Sequence, residues 1–181
     1  EEELPEEAYE ILWENIFIPW LFFDWVPYPK TMAEKAIGKQ SIALKYLSEN
    51  KNKLSDYEQE FIKTLSQSYY SFYVVLEIEP EKHLYLKDIF LQTEHVIKEK
   101  SGTHYLKRGD IIFARVITLN NQSIAVGMAP YLVNSRHYGL LLEYREQLEK
   151  NNHGKALAPM LLREKYNWEL LDIYFEILVE K

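Results

Sequence analysis

Between residues 71 and 132 short runs of apolar residues are punctuated by turn formers at intervals too small for helices, and this stretch limits what the whole chain can become. Phe72, Val74, Leu76 and Ile78 alternate with Tyr73, Val75, Glu77 and Glu79, the period of a strand with one buried face. Pro80-Glu81-Lys82 ends that strand in a turn. Residues 84–91 and 93–98 read as the next two strands, and Ser101-Gly102 as another turn. Lys107-Arg108-Gly109-Asp110 forms a polar turn before Ile111-Ile112-Phe113-Ala114-Arg115-Val116-Ile117, a run apolar on both faces and so expected to lie inside the sheet. Asn120-Asn121 suits a two-residue hairpin, because Asn tolerates positive φ, and residues 124–129 close the set.

Helical patterns stand on either side. Pro5 and the acids after it suit a helix start, with Tyr9, Leu12, Trp13, Ile16 and Phe17 as its apolar face and Pro19 breaking or kinking it. The cluster Trp20-Leu21-Phe22-Phe23-Asp24-Trp25 is expected to pack under the sheet, with Asp24 capping or paired. Thr31 and Glu34 are spaced as a capping box opening a helix towards Leu47, weakened at Gly38, and Ser55 with Glu58 opens another. After the strands, Asn134 or Ser135 caps a helix reaching about Lys150 and ending near Gly154. Pro159 starts a short helix, and Asn167 caps the last one. The expected class is α+β: a five-stranded antiparallel curved sheet or small barrel flanked by N-terminal and C-terminal helices. Residues 1–68 form the helical region, 69–133 the barrel-like region and 134–181 the C-terminal helices, together one compact unit.

Several classes of protein are disfavoured by composition. Cysteine is absent from the 181 residues, which removes disulfides and Cys-ligated zinc from this chain. The longest dense apolar run, residues 16–26, contains Pro19 and Asp24 and falls short of the roughly 20 residues a membrane helix needs. No signal-peptide pattern opens the chain, so a cytoplasmic protein without a membrane is expected. The formal charge of −7 is concentrated at one end. Glu1, Glu2, Glu3, Glu6, Glu7, Glu10 and Glu14 account for all of it, since the remaining acids balance the 21 bases. A solvated helix start explains them, and an acidic arm for a basic partner is the alternative.

The ordered set Phe22-Phe23-Asp24-Trp25, the run from Phe72 to Pro80, Lys87-Asp88 and the run from Leu106 to Val116 resembles a family of uncharacterised bacterial proteins. Many members carry a SEC-C zinc-binding motif in a short Cys-rich tail; this chain has no Cys, so the tail is missing or lies outside it. The resemblance implies an architecture and carries no activity, cofactor or partner.

Chemistry is sparse in the residues themselves. His83, His95, His104, His137 and His153 include no pair three or four apart, so a helix-borne metal pair is excluded and no metal or cofactor is expected. No Gly-rich phosphate loop or nucleophile elbow is present, and no enzyme is expected. Glu77 and Glu79, next to Asp88, are the paired carboxylates nearest to an acid/base site, although a solvated face explains them more simply. The clearest binding signal is basic. Lys98, Lys100, Lys107, Arg108 and Arg115 outnumber Glu99 and Asp110, with His104 and Tyr105 interleaved. A binding or adaptor domain for a protein or peptide is the leading expectation, and a single-stranded nucleic-acid module using that basic face is the alternative.

Overall fold

The structure, a computed structural model, describes residues 6–26 and 40–179. They fall into two compact units, Glu1–Ser68 and Tyr69–Lys181, so the C-terminal helices belong with the strands.

In the first unit, α1 (Glu6–Leu12) runs through a π-helical turn (Trp13–Phe17) directly into α2 (Ile18–Phe23). Pro19 therefore does not break the helix. The wider turn, in which the Ile18 N–H donates to Trp13 O five residues back, accommodates the proline that would clash in a regular α-helix. The apolar face expected for this helix is divided: Ala8, Leu12 and Ile16 are buried, while Tyr9, Trp13 and Phe17 are exposed. Within α2 no residue is fully buried, so the aromatic cluster after Pro19 is a half-covered layer and not a core.

Helix α3 (Ile42–Asn50) starts from Ser41, whose extended backbone and side-chain oxygen cap the Leu44 N–H. A single helix from Thr31 to Leu47 is thus ruled out by the non-helical residues 40 and 41, while Pro27, Thr31, Glu34 and Gly38 lie outside the described residues. Helix α4 (Asp56–Gln67) opens with the expected capping box, Ser55 accepting from the Glu58 N–H and Glu58 accepting from the Ser55 N–H at 2.8 Å.

Five strands make the second unit's centre: β1 (Tyr70–Glu79), β2 (His83–Asp88), β3 (Glu94–Lys98), β4 (Ile111–Leu119) and β5 (Gln122–Met128). They close into a barrel in the order β1-β2-β3-β5-β4. Four of the pairings are antiparallel, as expected. The closing β3–β5 contact is parallel and rests on one residue pair, Ile97 with Ser123. A long β1, bonded to β2 over one half and β4 over the other, is what lets so few strands close.

A β-bulge between Val75 and Glu77 reverses the alternation of β1. The single buried face expected for Phe72, Val74, Leu76 and Ile78 is therefore not formed. Tyr73 and Val75 point into the barrel with Leu84, Leu86, Ile97, Leu106, Ile112 and Ala114, and Ile78 joins them from beyond the bulge. Phe72 belongs to a second layer outside the barrel. There it meets Phe113 at 4.8 Å between ring centroids, and Tyr174 of the last helix stacks on Phe113 at 4.7 Å. That cover explains why β4 is apolar on both faces.

Turn chemistry agrees with the local sequence at two places and overrides it at one. Asn120 and Asn121 both take positive φ, 50° and 60°, in the β4–β5 hairpin. Asn134 caps a 3-10 turn (Ser135–His137) that leads into α5 (Tyr138–Asn151), followed by α6 (Pro159–Glu164) and α7 (Asn167–Val179). By contrast β2 stops at Asp88 instead of running to Leu91. The Asp88 carboxylate accepts from the Phe90 and Leu91 N–H groups at 2.8 and 3.0 Å, which folds the chain back before the strand can continue.

Candidate functional site

A groove of about 750 Å³ crosses the outside of the barrel where β1, β2 and β3 lie side by side. The bulge that reverses β1 also shapes it, by splaying Leu76 and Glu77 outward beside Tyr85 of β2 and Val96 of β3. Tyr85 and Val96 are register partners, so their side chains meet across the floor, and Val96 is 48% exposed. Glu77 and Glu94 supply acids along the groove, and Arg108 supplies a base.

Arg108 reaches the groove because its turn is bonded to the bulge. The Gly109 N–H donates to Val75 O at 2.8 Å and the Val75 N–H donates to Asp110 O at 2.9 Å. The turn itself is closed by the Asp110 carboxylate accepting from the Lys107 N–H at 2.7 Å. Gly109 takes a φ of +91°, a conformation that side chains other than glycine's rarely adopt. Arg108 also borders a second depression with Leu132, Asn134 and Ser135, so it stands between two concave surfaces.

Behind the groove lies a buried polar cluster. Asp88 is fully buried; its Oδ1 accepts from the Ser71 hydroxyl at 2.9 Å, and its Oδ2 accepts from the Tyr69 hydroxyl at 3.3 Å. Burial pushes the Asp88 carboxyl above the usual carboxylate range, against the lowering effect of its hydrogen bonds from Leu91, Ser71 and Phe90 and of the nearby His95. Burial together with the Asp88 charge raises the Tyr69 and Tyr73 phenols. His95 lines the groove and meets the Tyr73 ring edge-on at 5.8 Å. Its partial burial lowers its pKa, with Asp88 opposing that effect, so at neutral pH it is an uncharged donor and acceptor.

The basic residues singled out from sequence do not form one face. Lys98 is exposed on the outer face of β3, opposite His83. Lys100 lies 3.1 Å from the Glu81 carboxylate of the β1–β2 turn and His104 contacts the same carboxylate, so both have a local partner. Tyr105 is 80% exposed with the His104 ring edge-on beside it, and Lys107 is exposed on its turn. Arg115 is the correction. It is wholly buried, its guanidinium 4.6 Å from the Tyr70 ring centroid, and belongs to the core.

The carboxylates separate as well. Glu79 pairs with Lys82 at 2.6 Å and His83 at 3.1 Å, which holds its carboxyl below the usual range. Glu77 faces the groove, and Asp88 lies buried at the other end of β2. Among the described residues no group of three or more His, Asp or Glu could hold a metal ion, and no helix is long and apolar enough to cross a membrane. Tyr85, His95 and Val96 were not legible as site residues. Their signal is a register one, Tyr85 opposite Val96 on the outer face and His95 beside them against Tyr73, and it needs the pairing to be known.

Residues 5–159 match the model of a family described as "Family of unknown function (DUF7986)". The chain belongs to this family. The match takes in the whole barrel, the groove and α5. No curated protein and no solved structure matches the chain.

Proposed function

We propose that this member of the family is a non-enzymatic binding or adaptor domain that takes an extended protein or peptide segment in the groove across β1, β2 and β3. The observation that carries this reading is the groove's composition. Its outward-facing Leu76, Tyr85 and Val96 are apolar, and its charges are mixed, Glu77 and Glu94 against Arg108. Such a surface suits side chains of alternating character and offers no continuous track for phosphates. Tyr85 and Val96 receive apolar side chains, while Arg108 selects an acid at one end of the segment and the two glutamates select a base elsewhere.

Peptide display against the full chain tests this. Enriched sequences should alternate apolar with charged residues, and Arg108→Glu should weaken the best of them by about tenfold, a loss of about 1.4 kcal/mol. Absence of enrichment, with tight binding of single-stranded oligonucleotides that weakens steeply as salt is raised, would refute it.

One observation favours that second reading. Small five-stranded Greek-key barrels commonly use the face formed by their second and third strands to stack bases, and Tyr85 stands on that face, with His95 and Arg108 also lining the groove. The finer parts of the family resemblance go with the proposal. We place the domain in the bacterial cytoplasm, in a family many of whose members carry a SEC-C tail.

A further inference from the structure

Around α1 and the π-turn, three stripes of different chemistry lie next to one another. Ala8, Leu12 and Ile16 form the buried one. Beside it run Tyr9, Trp13 and Phe17, 54%, 55% and 37% exposed, and the third stripe holds Glu7, Glu10 and Glu14, all exposed. The aromatic residues are spaced four apart, and Trp13 and Phe17 stack at 4.4 Å with an interplanar angle of 22°. Phe17 continues the series onto Trp20 at 5.8 Å. Large rings left in water at helical spacing are costly unless something covers them, and π-turns recur where a helix does more than support a core.

Charge states what can cover them. The first 29 residues hold eight acids and no Lys, Arg or His. Phosphates and anionic lipid surfaces are repelled by such a field. Two copies meeting through this face would set glutamates against glutamates. A cationic amphipathic segment meets both demands at once: its aliphatic side chains cover the rings, and its Lys or Arg heads reach the glutamates or lie over Trp13 and Tyr9.

We propose that the Tyr9, Trp13 and Phe17 face of α1 docks a Lys- or Arg-rich amphipathic segment of another protein, with Glu10 and Glu14 reading its positive charge. This surface shares no residue with the groove on the barrel, so the two proposals are tested by different substitutions.

Calorimetric titration of the full chain with a designed Leu/Lys amphipathic peptide tests it, beside a Leu/Glu peptide of the same pattern and a Lys-only peptide of the same charge. Only the Leu/Lys peptide should bind well. Trp13→Ala, and Glu10→Lys combined with Glu14→Lys, should each weaken it by about tenfold, with circular dichroism unchanged. Tyr9→Ser should weaken it as well and serves where Trp13→Ala alters the helix. Arg108→Glu should leave this binding as it is. No binding, equal binding of the Lys-only peptide, or full affinity in all the α1 variants would overturn the proposal. So would loss of the exposed face by self-association, read as a dimer in sedimentation that Glu10→Lys with Glu14→Lys alters.

Discussion

Asp88 fastens the turn after β2 to β1, and its removal has a cost that can be worked out. Its Oδ1 alone accepts from the Ser71 hydroxyl and from the Phe90 and Leu91 N–H groups, at 2.9, 2.8 and 3.0 Å. Asp88→Ala leaves these donors without their acceptor in a buried site, at about 1–3 kcal/mol each when water cannot replace it. Partial wetting of the vacated space makes a total of about 3–5 kcal/mol reasonable, a large share of the roughly 5–15 kcal/mol that holds a domain together. At about 2–4 °C per kcal/mol for a chain of this size, the melting temperature should fall by roughly 6–20 °C.

Asp88→Asn separates the hydrogen bonds from the charge. Its amide oxygen can accept the same three bonds, so stability near neutral pH should stay within about 1 kcal/mol of the parent. The pH dependence should differ. Because the folded Asp88 pKa is raised, the folded state holds its proton longer than the unfolded state does. That contribution is fully present below the unfolded value of 3.8 and is lost as pH rises through the folded value, a slope that Asp88→Asn should remove. Urea denaturation followed by circular dichroism across pH measures both. If Asp88→Ala and Asp88→Asn are equally damaging, or equally mild, the assignment of the bonds to Oδ1 is wrong.

Three further predictions follow from the barrel. Arg115→Ala should cost about 3–5 kcal/mol in denaturation because it empties a fully buried position over Tyr70, whereas Arg108→Ala should leave stability within about 0.5 kcal/mol. Gly109→Ala should destabilise by about 1–2 kcal/mol, a backbone effect alone, since a Cβ there meets nothing within 4 Å while φ stays at +91°. His95 should titrate below 6.5 in histidine NMR spectra. Its lowered pKa means the unfolded chain takes the proton first, so stability falls as pH drops below 6.5, and His95→Gln should flatten that part of the profile.

Much of the chain's organisation was legible because it rests on local chemistry. The Ser55–Glu58 capping box, the Asn120-Asn121 hairpin, the Asn134 cap and the start of α6 at Pro159 are written in neighbouring residues, and each is formed. Hydrophobic alternation was read correctly as strands but assigned to the wrong face in β1, because a one-residue bulge inverts everything beyond it and leaves no local mark. Whether Pro19 breaks the helix or only distorts it was open for a related reason. A π-turn absorbs the proline, and whether one forms depends on the helix before it.

The candidate site shows the same division. Arg108 could be picked out as an exposed base on a polar turn, and it does border the groove. Arg115 stands in the same basic stretch, yet its strand has a helix over its outer face, so its charge is enclosed by Tyr70 and its neighbours. Lys100 and His104 were equally plausible until the β1–β2 turn brought Glu81 against both. Spacing along the chain ranks residue types; burial and ion pairing depend on segments twenty or more residues apart.

By itself, then, the amino-acid sequence determined the α+β class, the number of strands, most helix ends and the acidity of the first helix, all consequences of nearest-neighbour sterics, capping and periodicity. Tertiary structure decided that the strands close into a barrel through a parallel contact, which residues face its interior, and that Tyr85, His95, Val96 and Arg108 share a groove. Those outcomes hang on strand register, and register is set by the long-range fit of side chains across the barrel and under α7, which no local stretch contains.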